Sequence, residues 1–103
     1  MRKVVISELA KEDLYQISDY VAQHSPVAAT RLMKKFRKQF DSLAHFPQLG
    51  RERNDLVIGI RCLVMDNYLI FYQSGDPDDE DTTIEIWRVR HGAQDLSDWL
   101  SDL

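Results

Sequence analysis

The dipeptide Ser25-Pro26 interrupts a long helical pattern and makes the chain double back on itself. Proline restrains the residue before it, is tolerated at the first helical position and leaves the preceding serine free to cap. On the N-terminal side Ala10, Leu14, Ile17 and Val21 recur at helical spacing. Lys11, Glu12, Gln16, Asp19 and Gln23 fall elsewhere on the wheel, and Tyr20 flanks the apolar stripe. Ser7 is placed to cap this helix and Glu8 supplies an acid in its first turn. On the C-terminal side Ala29, Leu32, Met33, Phe36, Phe40 and Leu43 share one face of a second helix that runs towards Phe46. Two helices joined so tightly form an antiparallel hairpin.

What surrounds the hairpin reads as strand. Residues 3–6 form a short N-terminal strand. Phe46-Pro47-Gln48-Leu49-Gly50 closes the second helix with a proline and a turn glycine, and residues 51–57 make a polar connection. Residues 58–65, 68–74 and 82–90 are β-rich, with Asp66-Asn67 as a tight hairpin turn between the first two. Gly75-Asp76-Pro77-Asp78-Asp79-Glu80-Asp81 must be an exposed loop, since so many like charges cannot be buried together. Residues 95–100 have a capping acid and enough apolar side chains for one or two helical turns. The expected class is α+β: an N-terminal strand, an antiparallel helical hairpin packed on a small antiparallel β-sheet, and a short C-terminal helix. At 103 residues the chain makes one domain, residues 1–103.

Charge and residue types narrow the function. A net charge of -4 argues against a protein whose main task is to coat nucleic acid, because neutralising phosphates takes a basic surplus. Arg31, Lys34, Lys35 and Lys38 nonetheless share one face of the second helix. The ordinary reading is a solvated face, and the sharper one a docking stripe for an acidic partner. The lone Cys62 has no internal disulfide partner and sits among apolar neighbours, which suits a small buried hydrophobe in a reducing cytoplasm. No stretch approaches the length of a membrane span, and the N-terminal apolar run is too short for a signal peptide. His24, His45, His91 and Cys62 are scattered without metal-ligand spacing, and there is no Gly-rich phosphate loop or nucleophile motif. No metal and no cofactor are expected.

Chemistry-bearing side chains concentrate in residues 84–96, which begin as a buried strand and end in a polar row around Gly92. The constellation is Arg61, Arg88, Arg90, His91 and Asp95. Arginines grip a phosphate in bidentate fashion and a histidine near neutral pKa moves a proton, so this set is suited to cutting RNA by in-line attack of a 2′-hydroxyl. The bland alternative is that Arg88 or Arg90 pairs with Asp95 or Glu85 and that His91 only hydrogen-bonds the turn at Gly92.

Five segments occur in a diagnostic order: Glu12-Asp13-Leu14-Tyr15-Gln16-Ile17-Ser18-Asp19-Tyr20-Val21, Phe46-Pro47-Gln48-Leu49-Gly50-Arg51, Gly59-Ile60-Arg61, Tyr68-Leu69-Ile70-Phe71-Tyr72, and residues 84–96. Together they resemble the RelE/ParE toxin superfamily, and the ParE branch more than the RelE branch. The resemblance implies a small toxin of a type II toxin-antitoxin pair, in the cytoplasm, forming a hetero-oligomer with a ParD-like antitoxin whose other end binds DNA. ParE-branch members inhibit DNA gyrase, whereas RelE-branch members cut messenger RNA on the ribosome. RelE-type nucleases carry an arginine just after the tyrosine of the third strand and are strongly basic; here that position is Leu69 and the chain is acidic. The expected function is therefore gyrase inhibition by binding, without catalysis, without membrane association and without sequence-specific nucleic-acid binding. The expected target-binding residues are Arg61, Arg88, Arg90, His91 and Trp99. In the RelE alternative, a ribosome-dependent mRNA endonuclease, Arg61, Arg88 and His91 are the catalytic groups.

Overall fold

The computed structural model describes residues 2–76 and 78–92. The elements in chain order are β1 (Val4–Ile6), α1 (Glu8–Ala22), α2 (Pro26–His45), β2 (Arg51–Glu52), β3 (Arg61–Met65), β4 (Tyr68–Ser74) and β5 (Ile84–His91). Ser7 and Ser25 cap the two helices, their Oγ atoms accepting from the N–H groups of Ala10 at 3.0 Å and Ala28 at 3.1 Å, and Pro26 occupies the first turn of α2. The helical hairpin and its turn are therefore where the sequence puts them.

The strands run in the order β1-β5-β4-β3-β2. From β2 to β5 the sheet is antiparallel, but β1 pairs with β5 in parallel, Val4 beside Ile84 and Ile6 beside Ile86. The sheet is thus mixed rather than wholly antiparallel. A parallel partner needs a long crossover, and the whole hairpin and three further strands lie between β1 and β5. Several strand boundaries also differ from the sequence reading, two of them markedly. Residues 51–57, expected to be only a connection, begin with β2, and β3 starts at Arg61 instead of at residue 58. The cause of the second lies in Gly59, whose φ of 87° and N–H bond to Asn54 Oδ1 at 2.9 Å turn the chain out of the sheet and leave Ile58 86% exposed. At the β3–β4 turn Asp66 adopts a left-handed φ of 53°, which aspartate tolerates better than most residues. The acids Asp76, Asp78, Asp79, Glu80 and Asp81 are all exposed. Residues 95–100, with Asp95 and Trp99, lie outside the described residues.

Two apolar clusters sandwich the sheet. On the helix side Ala10, Phe36, Phe40 and Leu43 meet Met65, Ile70, Tyr72, Ile84, Ile86 and Val89. On the other face Ile60, Cys62 and Phe71 are covered by Leu56, Val57, Leu69 and Trp87, so residues 56–60 act as a lid for a face to which neither α1 nor α2 contributes. Among the described residues no helix is long and apolar enough to cross a membrane.

Tyr72 fastens the sheet to the segment after α2. Its hydroxyl donates to Pro47 O at 2.8 Å and accepts from Gly50 N at 2.7 Å, in a buried setting. Gly50 has an ordinary negative φ; what it needs is room. A Cβ there would lie 2.6 Å from Tyr72 Cε1 and 3.0 Å from Cys62 O. Because the obstacle is a ring fixed by two hydrogen bonds, Gly50→Ala should cost about 1–3 kcal/mol of stability, read as a lower midpoint in urea unfolding.

The same packing sets the alkaline limit of stability. Burial pushes the Cys62 thiol above its ordinary 9.0 and the Tyr72 and Tyr68 phenols above 10.0. Groups with raised pKa hold their protons longer when folded. Their stabilisation is complete below the unfolded values and is lost as pH climbs through the folded ones. Unfolding free energy should therefore begin to fall above about pH 9.0, and urea titrations across the alkaline range will show the decline. A stability that rises over that range would contradict the burial of these groups.

Candidate target-binding site

The polar rim grows out of a fault in β5. Phe71 pairs with Arg88 and Tyr72 with Ile86, so Trp87 is an extra residue without an opposite number on β4. Such a bulge reverses the alternation of side chains beyond it. Ile84 and Ile86 enter the helix-side core before the bulge, and Val89 enters it after. Arg88 and Arg90 consequently stand in register with Phe71 and Leu69, while His91 stands opposite Tyr68. The polar residues are split between two registers by this arrangement and do not form a single row.

Beyond Ile86 the edge of β5 is no longer covered by β1, and α1 takes over with side chains. Ser7 Oγ donates to Trp87 O at 2.8 Å. Asp13 does more: its Oδ2 accepts from Val89 N at 3.0 Å and from Arg88 Nε at 2.8 Å, and its Oδ1 accepts from Arg88 Nη2 at 3.0 Å. Arg88 is 6% exposed and Asp13 8%. A bidentate, buried pair of this kind fixes α1 on β5, and it gives Arg88 a partner 75 residues away that was not considered from the sequence. Asp13 is the residue of this constellation that the sequence reading left without a role. The signal was present, because Asp13 is three residues from Ala10 and four from Ile17, on the stripe that must be buried, and a carboxylate there requires a partner.

Arg61 is also engaged. Its Nη1 donates to Gly50 O at 2.8 Å and its Nη2 to Glu52 Oε1 at 3.0 Å, across the short β2–β3 pair. His91 packs edge-on against Tyr68, with ring centroids 5.3 Å apart. The turn at Gly92 is closed by its own N–H, which donates to Asn67 O at 2.7 Å. Around this end of β5 a shallow depression of about 270 Å³ is lined by Val64, Asp66, Asn67, Leu69, His91 and Gly92. Val64 is 65% exposed, so the depression continues onto an apolar surface.

Two of the residues a nuclease would need, Arg61 and His91, stand apart along the sheet. Arg61 sits opposite Tyr72, and His91 opposite Tyr68 on the other side of β4. Four residues of strand and two strand spacings put their backbones roughly 16 Å apart. Arg88 faces Asp13. What the geometry does offer is a rim of Arg90 and His91 beside Leu69 and Val64, a mixed polar and apolar surface suited to contact with a protein. Trp99, the fifth expected contact residue, lies outside the described residues.

Comparisons with known proteins agree with this architecture. Residues 4–96 match the family described as ParE toxin of type II toxin-antitoxin system, parDE. Over 94 residues the chain is 34% identical to Toxin RelE2 of Caulobacter vibrioides, an alignment that covers 91% of this chain and 99% of that protein. A solved structure described as the chromosomal ParDE TA system from P. aeruginosa superposes with a TM-score of 0.70 at 22% identity, covering 88% of this chain and 96% of that one. At that identity the likeness is one of fold.

Proposed function

The chain belongs to the ParE toxin family of type II toxin-antitoxin systems, and from that membership we propose that it arrests growth by binding DNA gyrase and is held inactive by a cognate ParD-like antitoxin. In this reading the toxin acts in the cytoplasm, makes and breaks no bond itself, and presents Arg90 and His91, with Trp99, to its target. Arg61 and Arg88 hold the rim in shape from behind. One observation carries the choice of binding over catalysis: Arg88 is sequestered by Asp13, while Arg61 is tied to Gly50 and Glu52 far from His91. In-line cleavage needs a base, an acid and a phosphate clamp within hydrogen-bond reach of one substrate.

A second reading, ribosome-dependent cleavage of mRNA, has one specific observation in its favour. Arg90 stands directly across the strand pair from Leu69, offering a guanidinium close to the place where the nucleases of the superfamily are expected to carry theirs. Cross-strand neighbours lie about 5 Å apart at Cβ.

Inducing the toxin without its antitoxin, and following DNA and protein synthesis separately, distinguishes the two. DNA synthesis failing first is the result expected of a gyrase inhibitor. Protein synthesis failing first, with transcripts cut in the ribosomal A site, would overturn the gyrase reading, and undiminished growth would overturn toxicity itself.

A further inference from the structure

The outward face of α2 changes sign along its length. Val27, Arg31, Lys34, Lys38 and His45 recur at helical spacing and are all exposed, so they form one stripe turned away from the core side chains Phe36, Phe40 and Leu43. Arg31, Lys34 and Lys38 have no carboxylate partner among the described residues. Beyond them the surface is acidic. Beside His45 and Phe46 lies a depression of about 410 Å³ whose wall includes Arg2 and Asp78, and Asp76, Asp79, Glu80 and Asp81 share the exposed loop with Asp78. These five acids make no ion pair among the described residues; Asp76 and Asp79 instead accept from the N–H groups of Asp78 and Asp81, each at 2.9 Å. Each end also carries bare apolar surface: Val27 is 61% exposed at the cationic end, Phe46 66% and Leu49 49% at the acidic end.

The two ends cannot neutralise each other within one chain. A helix rises about 1.5 Å per residue, which puts the middle of the cationic stretch roughly 16 Å from His45, twice the screening length of about 8 Å at physiological salt. A face with opposite signs at its two ends is, however, complementary to itself: a two-fold rotation lays each end on the opposite end of another copy.

We propose that this face of α2 docks a second copy of the chain, the two α2 helices lying antiparallel across a two-fold axis. Arg31, Lys34 and Lys38 of one protomer meet the acidic loop of its partner, and the partner returns the same contacts. Val27 of each protomer then approaches Phe46 and Leu49 of the other. The contact is small. The 20 residues of α2 present a strip roughly 30 Å by 10 Å, well below the roughly 800 Å² per partner of a standard interface, and exposed ion pairs add little each. The dimer is therefore weak and sensitive to salt, half-formed at roughly 100 µM in dilute buffer. It is independent of what the toxin targets.

Sedimentation velocity of the purified full chain, over a concentration series bracketing that value, tests this. The native chain should shift towards dimer as concentration rises and return to monomer in concentrated salt. Arg31→Glu/Lys34→Glu/Lys38→Glu makes both ends acidic, and Asp78→Lys/Asp79→Lys/Glu80→Lys makes both basic. All six positions are exposed, and thermal unfolding followed by circular dichroism checks that each fold persists. Either variant alone should associate at least about tenfold more weakly than the native chain. An equimolar mixture of the two should form a one-to-one dimer again, because each carries the charge the other has lost, a result that misfolding cannot imitate. A native chain that stays monomeric throughout the series would overturn the proposal, as would a dimer that either variant leaves intact or a mixture that fails to associate. Retention of duplex DNA by a monomeric native chain, lost in the first variant, would assign the face to nucleic acid and overturn it too.

Discussion

Asp13→Ala should lower the unfolding free energy by about 3–5 kcal/mol, the loss expected when one member of a buried ion pair is removed and the other is left behind. Three hydrogen bonds to the carboxylate disappear at once, two from the Arg88 guanidinium and one from Val89 N–H. The first two leave a charge in a site where only 8% of the arginine side chain is exposed. The third leaves a backbone donor at an edge that β1 does not reach. Domains of this size are stable by only about 5–15 kcal/mol, so the variant should sit close to its unfolding threshold and lose function through folding rather than through contact. Asp13→Ala/Arg88→Met should recover part of the loss, because the buried charge is gone while the Val89 donor remains unmatched at a cost of about 1–3 kcal/mol. Urea unfolding of the single and double variants measures both. A single-variant loss below about 1 kcal/mol would mean that the pair does not hold α1 on the sheet.

The second large effect is expected at Tyr72→Phe, about 2–3 kcal/mol from one oxygen atom. The ring stays and the apolar core is undisturbed, but Gly50 N–H and Pro47 C=O both lose a buried partner. Because Arg61 donates to Gly50 O, loosening that segment should also weaken one of the two holds on Arg61, leaving its ion pair with Glu52. A stability loss with unchanged growth arrest would confine Tyr72 to scaffolding; a gain of RNA cleavage on loosening Arg61 would revive the nuclease reading.

These two contacts also show what could be read from the sequence and what could not. Hairpin, caps and core faces are local in origin: Ser7, Ser25 and Pro26 act within one turn, and the stripe from Ala29 to Leu43 is set by helical periodicity. They were legible for that reason. The resembling segments were legible as an ordered series, yet their meaning is spatial. The segment around Asp13 and the one around Arg88 are two halves of a single ion pair, and Gly50 and Tyr72 are two halves of a single hydrogen-bonded lock. No spacing rule links residues 75 positions apart. The bulge at Trp87 was hidden for a different reason: Trp87, Arg88 and Val89 all suit a half-buried strand by residue type, and only pairing with β4 reveals which one is surplus. Likewise Ile58 looks like a strand residue until the left-handed turn at Gly59 removes it from the sheet.

The candidate site was legible only by residue type. Arg90 and His91 were singled out with Arg88, but composition could not tell that Arg88 is held by a carboxylate, since that depends on an acid brought in by α1. The hydrogen-bonding duties of Arg61 and Arg88 make them the wrong residues to mutate when asking about target contact.

The most direct measurement is supercoiling of relaxed plasmid by purified gyrase, with the purified chain added and translating ribosomes supplied with messenger RNA in a parallel tube. A toxin that works by binding slows supercoiling in proportion to dose and leaves every transcript at full length, and Arg90→Glu relieves the inhibition. Undiminished supercoiling together with site-specific cutting of the ribosome-bound message is the result that would contradict it.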